Sequence, residues 1–189
     1  YSRTSELKSL LPVGFISQNN PFGRLFASPN KKRRNKLNNK KSLKVRFLGG
    51  VGEIGKNMTA LEYGRDIIII DAGLTFPNAD MPGIDLLIPD ISYLVQNKDR
   101  IRGIVLTHGH EDHIGGLPYV LKEINVPVYG TKLTLMLCEH KLIEQRVTGY
   151  SLNCVKPSGV VKLGCFSVEF VHVNHSIPGS CALAINTPA

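Results

Sequence analysis

His108-Gly109-His110-Glu111-Asp112-His113 follows directly on the apolar run Ile101–Leu106, which has the length and texture of a buried β-strand. Three histidines and two acids thus fall within six residues, in a loop at the end of a strand. Imidazole and carboxylate are the ligands of catalytic zinc sites, which keep one position open for water. On an extended stretch, alternate side chains point the same way, so His108 and His110 can grip one ion while Glu111 turns away. Asp112 and His113, from the turn that follows, suit a second ion a few ångströms away. Position 114 is Ile rather than His, which separates this cluster from the H-E-x-x-H metalloprotease motif. Metal binding is the expectation, since a lone histidine is ordinary and this density is not.

A metal pair also needs ligands from distant segments. His175 is the candidate, in Val173-Asn174-His175-Ser176-Ile177-Pro178 at the end of a strand. His172 falls on the opposite face of that strand and is expected to face solvent or to support a ligand from behind. His140 is expected as a packing residue on the apolar face of a helix over 133–147, with Leu133, Met136, Leu137 and Ile143. Asp71 ends the buried strand Ile67–Ile70. It is expected to take part in catalysis by orienting a ligand histidine, with capping of the next turn as the plainer alternative. Asp80 and Asp85 read as turn residues.

Strands are expected over 44–48, 58–63, 67–70, 101–106, 126–129, 160–163, 167–173 and 181–185, with helices near 91–97, 117–124 and 133–147. Hairpins first, then strands alternating with helices, indicate an α/β (α+β) sandwich with a mixed sheet. Gly50-Val51-Gly52-Glu53-Ile54-Gly55 spells a dinucleotide-binding G-x-G-x-x-G, with the acid Asp71 about twenty residues on. That fingerprint requires a crossover helix. Here Gly55 leads at once into the strand Met58–Tyr63 and the turn Gly64-Arg65-Asp66, so the loop is read as a hairpin connection and no nucleotide cofactor is expected.

The net charge of +8 is uneven. Residues 1–46 carry +11 and the remainder −3, so the basicity lies in an N-terminal arm. Residues 1–43 lack sustained periodicity and contain Lys31-Lys32-Arg33-Arg34-Asn35-Lys36. Three readings stand: a solvated disordered tail, a tail that attracts RNA phosphates, or an organellar transit peptide. No run of 18 apolar residues occurs, so no membrane-spanning helix is expected. Cys138, Cys154, Cys165 and Cys181 show no C-x-x-C spacing and are read as reduced, buried thiols of a cytoplasmic protein, with an organelle as the alternative if the arm is a transit peptide. The first residue is Tyr1 and the last residues, Thr187-Pro188-Ala189, read as a strand entering a turn. A fragment of a longer chain is expected.

His108–His113 resembles motif 2 of the metallo-β-lactamase superfamily, Asp71 its motif 1 and His175 its motif 3. More narrowly, Leu48-Gly49-Gly50-Val51-Gly52-Glu53-Ile54-Gly55-Lys56-Asn57, Gly73-Leu74-Thr75-Phe76-Pro77, Gly83-Ile84-Asp85, Ile88-Pro89-Asp90 and Asn174-His175-Ser176-Ile177-Pro178 resemble the ribonuclease J family, of the β-CASP branch. The resemblance covers 44–189, read as the N-terminal part of such a domain, and does not extend to 1–43. It implies an incomplete αββα sandwich, two Zn2+ ions, RNA as substrate with endonuclease and 5′-to-3′ exonuclease action in RNA maturation and decay, and assembly as a homodimer or tetramer. By position His108, His110 and His175 would hold one zinc, and Asp112 and His113 would help hold the other. Gly179 departs from the family, where an Asp often follows the proline. The family's bridging Asp, its β-CASP domain and its last His ligand would lie beyond Ala189, so the 189-residue chain alone is expected to be inactive. The alternative is a hydrolase of the same fold acting on a small thioester or lactam, since the same ligands serve both.

Overall fold

The four isoleucines 67–70 are apolar on both sides because both faces of their strand are covered. Ile67 and Ile69 belong to one core, and Ile68 to another. A strand buried on both faces reads as a continuous apolar run rather than an alternation. In the computed structural model, which describes residues 42–189, this strand lies inside a six-stranded mixed sheet. Its strands are β1 (Leu43–Gly49), β2 (Met58–Tyr63), β3 (Asp66–Ile70), β4 (Ile101–Val105), β5 (Val128–Gly130) and β6 (Leu152–Cys154), in that spatial order. β1, β2 and β3 pair antiparallel, and β3 to β6 run parallel. Most of the expected basic arm, residues 1–41, lies outside the described residues.

A second, antiparallel sheet holds β7 (Val160–Leu163), β8 (Phe166–His172) and β9 (Cys181–Asn186). Phe166, Val168 and Phe170 of β8 pack with Ile68 and Val105 to make the core between the sheets. The other face of the six-stranded sheet is covered by α1 (Ser92–Gln96), α2 (Glu111–Ile114), α3 (Leu117–Glu123) and α4 (Lys132–Glu144), through Leu94, Ile114, Leu117, Val120, Cys138 and Leu142. Helices, sheet and sheet form three successive layers. Among the described residues no helix covers the outer side of β7–β9. Among the described residues this is the α/β sandwich expected, with three layers. No helix among the described residues is long and apolar enough to cross a membrane.

The differences from the sequence reading have physical causes. β6 was not expected, because three residues with one aliphatic side chain carry no period. Asp112 and His113 sit in the short helix α2 rather than in an open turn. The inward face of α4 is formed by Thr134, Leu135, Cys138 and Leu142, whereas Met136 is 57% and Ile143 65% exposed. His140 shares that open face and is not a packing residue. Two overlapping stripes of this helix fit a 3.6-residue period. Of the expected stripe Leu137 does pack against the core, and Thr134 joins the inward face because its hydroxyl is satisfied by Thr131 at 3.1 Å, which permits burial. Of the cysteines, Cys138 and Cys181 are buried, but Cys154 is exposed and Cys165 half-buried; all four are unbridged. Burial pushes the Cys138 thiol up to about 12.

One buried charge ties the sheet edge to the helical layer. Glu62 on β2 accepts from Arg100 Nη2 at 2.6 Å, from Lys44 Nζ at 3.2 Å and from the Tyr93 hydroxyl. Burial by itself would raise its carboxyl, but the bonds from Tyr93, Arg100 and Lys44 outweigh that and hold it at about 2. Its contribution to stability is therefore full above the ordinary carboxylate value and is lost as pH falls from about 4.5 towards 2. Glu62→Gln should cost about 3 kcal/mol in denaturant unfolding at neutral pH, because it leaves Arg100 without its acid. It should also flatten the decline in stability below pH ~4.5; an acid limb as steep as in the parent would refute this assignment.

Candidate metal centre

β3 and β4 lie side by side and parallel, so their C-terminal ends deliver Asp71 and Thr107 to the same edge of the sheet. Asp71 is 4% exposed and adopts a left-handed conformation (φ 59°), with its N–H donating to Val105 O at 3.0 Å. Asp tolerates this region better than most residues, though at some cost in strain. The conformation turns the chain off the strand while leaving the carboxylate under the histidine-rich loop.

That carboxylate organises the loop. Oδ1 accepts from the Thr107 backbone N–H at 2.8 Å, and Oδ2 accepts from the Thr107 hydroxyl at 2.8 Å. His113 Nδ1 lies 2.7 Å from Oδ2, and His108 Nδ1 lies 2.9 Å from the Thr107 oxygen. With Asp71 ionised, the protons have one consistent arrangement. His113 Nδ1–H donates to Asp71, and His108 Nδ1–H donates to Thr107 Oγ1, whose own proton goes to Asp71. Both rings are thereby held in the tautomer that leaves Nε2 as a lone pair. Asp71 thus orients one histidine directly and the other through Thr107. The hydrogen bond from His113 to Asp71 is the contact an orienting acid would make; Thr107 has no counterpart in the sequence reading, because a threonine after a strand carries no signal of its own.

Two groups of candidate ligand atoms result. His108 Nε2 lies 3.1 Å from His110 Nδ1 and 3.2 Å from His175 Nε2. The ligand atoms of these three residues lie within 4.8 Å of one another. His175 sits three residues past the end of β8, so its aim comes from the loop and not from the alternation of the strand; His172 is exposed. In the second group, His113 Nε2 lies 3.4 Å from Asp112 Oδ2. Two ligands at 2.0–2.1 Å from a tetrahedral ion stand about 3.3 Å apart. The 3.1 and 3.2 Å separations from His108 and the 3.4 Å separation in the second group match that value.

The electrostatics differ between the groups. Burial, then the neighbouring rings of His113, His110 and His175, push His108 down to about 4, so it is neutral at pH 7 and able to offer a lone pair. His113 is moved the other way: burial lowers it, but the hydrogen bond and charge of Asp71, aided by Asp112, prevail and raise it. Glu111 points away, as expected, and pairs with Lys141 of α4. A cavity of about 230 Å³ adjoins the second group, lined in part by Phe47, Gly50, Val51, Asn57, Asp71 and His113. The loop with the G-x-G-x-x-G spelling borders it and connects two antiparallel strands, with no helix. Asp80 and Asp85 lie in the exposed loop before α1, apart from the ligand groups.

These features agree with known proteins. A family model for the metallo-beta-lactamase superfamily matches residues 51–181. Ribonuclease J of Helicobacter pylori is 48% identical over 155 residues, which is 81% of this chain and 22% of the relative. Ribonuclease J of Synechocystis is 47% identical over 150 residues, 78% of this chain and 23% of the relative. The chain therefore spans less than a quarter of the length of either relative. Among solved structures, the metallo-beta-lactamase fold protein YhfI from Bacillus subtilis superposes with a TM-score of 0.53 at 18% identity, over 77% of this chain and 58% of the other. Fold, ligand spacing and family match lead to one statement: the chain belongs to the metallo-β-lactamase superfamily, and its curated relatives include proteins named ribonuclease J.

Proposed function

We propose that this domain is the metal-binding part of a ribonuclease that hydrolyses RNA phosphodiesters with two zinc ions, as an endonuclease and a 5′-to-3′ exonuclease. The observation that carries this reading is the pair of candidate ligand groups, with His108 Nε2 3.1 and 3.2 Å from His110 and His175 and His113 Nε2 3.4 Å from Asp112 Oδ2. His108, His110 and His175 would hold one ion, and Asp112 and His113 would help hold the other. The identity to ribonuclease J over four-fifths of the chain favours RNA over a small thioester or lactam as substrate. Unbridged cysteines fit a reducing compartment, and the cytoplasm is the proposed one. In the complete protein a homodimer or tetramer is the proposed assembly.

Divalent ions bound there supply Lewis acidity and positive charge for phosphodiester hydrolysis at neutral pH. The chain's own contribution is to hold the ligands ready. Asp71 and Thr107 fix the tautomers of His108 and His113, so no proton has to move on the far side of either ring when a ligand lone pair is used. Asn57, Asp71 and His113 line one wall of the 230 Å³ cavity. The cavity gives a substrate strand a place against Phe47 and Val51, which are 63% and 64% exposed.

The direct test is cleavage of labelled RNA by the full-length protein that carries this domain. Hydrolysis should stop with chelator and return with zinc, and Asp112→Ala should lower it by about 100-fold or more. Cleavage indifferent to both treatments would sink the proposal. A separate expectation concerns Asp71→Asn, which removes the charge that orients both histidines. Zinc affinity, measured by competition with a chromogenic chelator, should fall about 10- to 100-fold while the far-UV spectrum is unchanged. Parent-like affinity would mean that Asp71 is only a turn cap.

A further inference from the structure

Asn57, in the loop before β2, meets the second ligand group from a point 55 residues away in sequence. Its side-chain nitrogen lies 2.9 Å from Asp112 Oδ2, 3.1 Å from Asp112 O and 3.2 Å from His113 Nε2. The Asp112 carbonyl already accepts from the Asn57 backbone N–H at 2.9 Å. The two amide hydrogens are therefore best used on Asp112 Oδ2 and His113 Nε2, the two atoms that would hold the second ion. In the neutral ring His113 Nδ1 donates to Asp71, so Nε2 is the acceptor there, and the amide nitrogen faces the pair.

The backbone around Asn57 is built to keep it there. Gly73 N–H donates to Asn57 O at 3.0 Å. A Cβ at Gly73 would lie 1.7 Å from Asp112 O, so only glycine lets these three segments meet. At Gly50, with φ +84°, a Cβ would lie 2.4 Å from Asn57 Oδ1. Both glycines make room for this contact, which explains part of the spelling that mimics a nucleotide-binding loop.

We infer that Asn57 is a positioning residue for the second metal subsite, whose side-chain amide holds the Asp112 carboxylate and the His113 ring at the separation an ion requires. This rests on the two-ion reading above. Asp112 has a side chain 42% exposed, and Asn57 is its side-chain donor among the described hydrogen bonds, so without the amide it is free to turn to solvent. A carboxylate oxygen has a further lone pair, so the Asn57 bond to Asp112 is compatible with an ion on the same oxygen. His113 Nε2 has one lone pair, and there the amide gives way. Asn57 makes no contact with His108, His110 or His175 among the described hydrogen bonds, so its effect is confined to one subsite.

The experiment is titration of the metal-free full chain with Zn2+, read by calorimetry and by chelator competition, for the parent, Asn57→Ala and Asn57→Leu. Leucine keeps the shape without the donor, and thermal melting verifies that each variant is folded. Binding of the second equivalent should weaken about 10- to 100-fold in both variants, with the first equivalent unchanged. Equal weakening of both equivalents, no change, or tighter second binding overturns the inference. Uptake of fewer than two equivalents by the parent instead defeats the two-ion reading for this chain. In the metal-free protein the histidine side-chain 15N spectrum supplies a reading that needs no ion. The His113 Nε2 resonance should move in Asn57→Ala while those of His110 and His175 stay, and an unmoved His113 refutes the contact.

Discussion

A carboxylate at the end of a strand covered on both faces must be satisfied by the protein itself, because little water reaches it. Asp71 is satisfied by Thr107 and His113, and through Thr107 it reaches His108. Its demand for donors therefore sets the tautomers of two histidines and the path of the loop that carries them. The left-handed backbone of Asp71 is what permits this, since an extended residue there would continue the strand past the loop. Remove the carboxylate and neither ring has a reason to present Nε2 outward.

The fold exists around that junction. Parallel pairing of β3 and β4 brings the ends of two strands to one edge, and ligand sites in open α/β sheets gather at such ends. The second sheet contributes β8, which packs through Phe166, Val168 and Phe170 against the inner face of the first. Its chain then leaves the sheet and turns His175 back over His108. The Gly-rich loop after β1 closes the remaining side through Asn57. Four separate segments thus converge on a volume only a few ångströms across, each anchored by burial a short distance away. A site assembled in this way depends on the packing of both cores, and Glu62 secures the sheet edge from which the Gly-rich loop starts.

Much of the site was legible in one dimension because its densest part is local. His108, His110, Asp112 and His113 are neighbours in the chain, and their spacing is itself the chemical signal. The apolar run Ile67–Ile70 announced a doubly covered strand, and the Gly64-Arg65-Asp66 turn excluded the crossover helix of a nucleotide fold. His175 is a candidate from its place after a strand and lies beside His108, yet the alternation argument does not apply to it, since the residue lies beyond the strand's last pair. The face of α4 was misread for a related reason: periodicity gives the angle between side chains but not which angle faces inward.

Sequence by itself determined the candidate ligand types, their local spacing, the strand-rich α/β layering and the family. These depend on short-range chemistry: which atoms can bind a metal, which residues favour a strand, and how far apart they lie on the chain. Tertiary structure alone decided that Thr107 links His108 to Asp71, that Asn57 faces Asp112 and His113, and that Gly50 and Gly73 are needed for close approach. Thr, Asn and Gly are common in loops for many reasons, so their types carry no address. Their roles arise from contacts between segments up to 56 residues apart, which the packing of two cores brings within hydrogen-bonding distance.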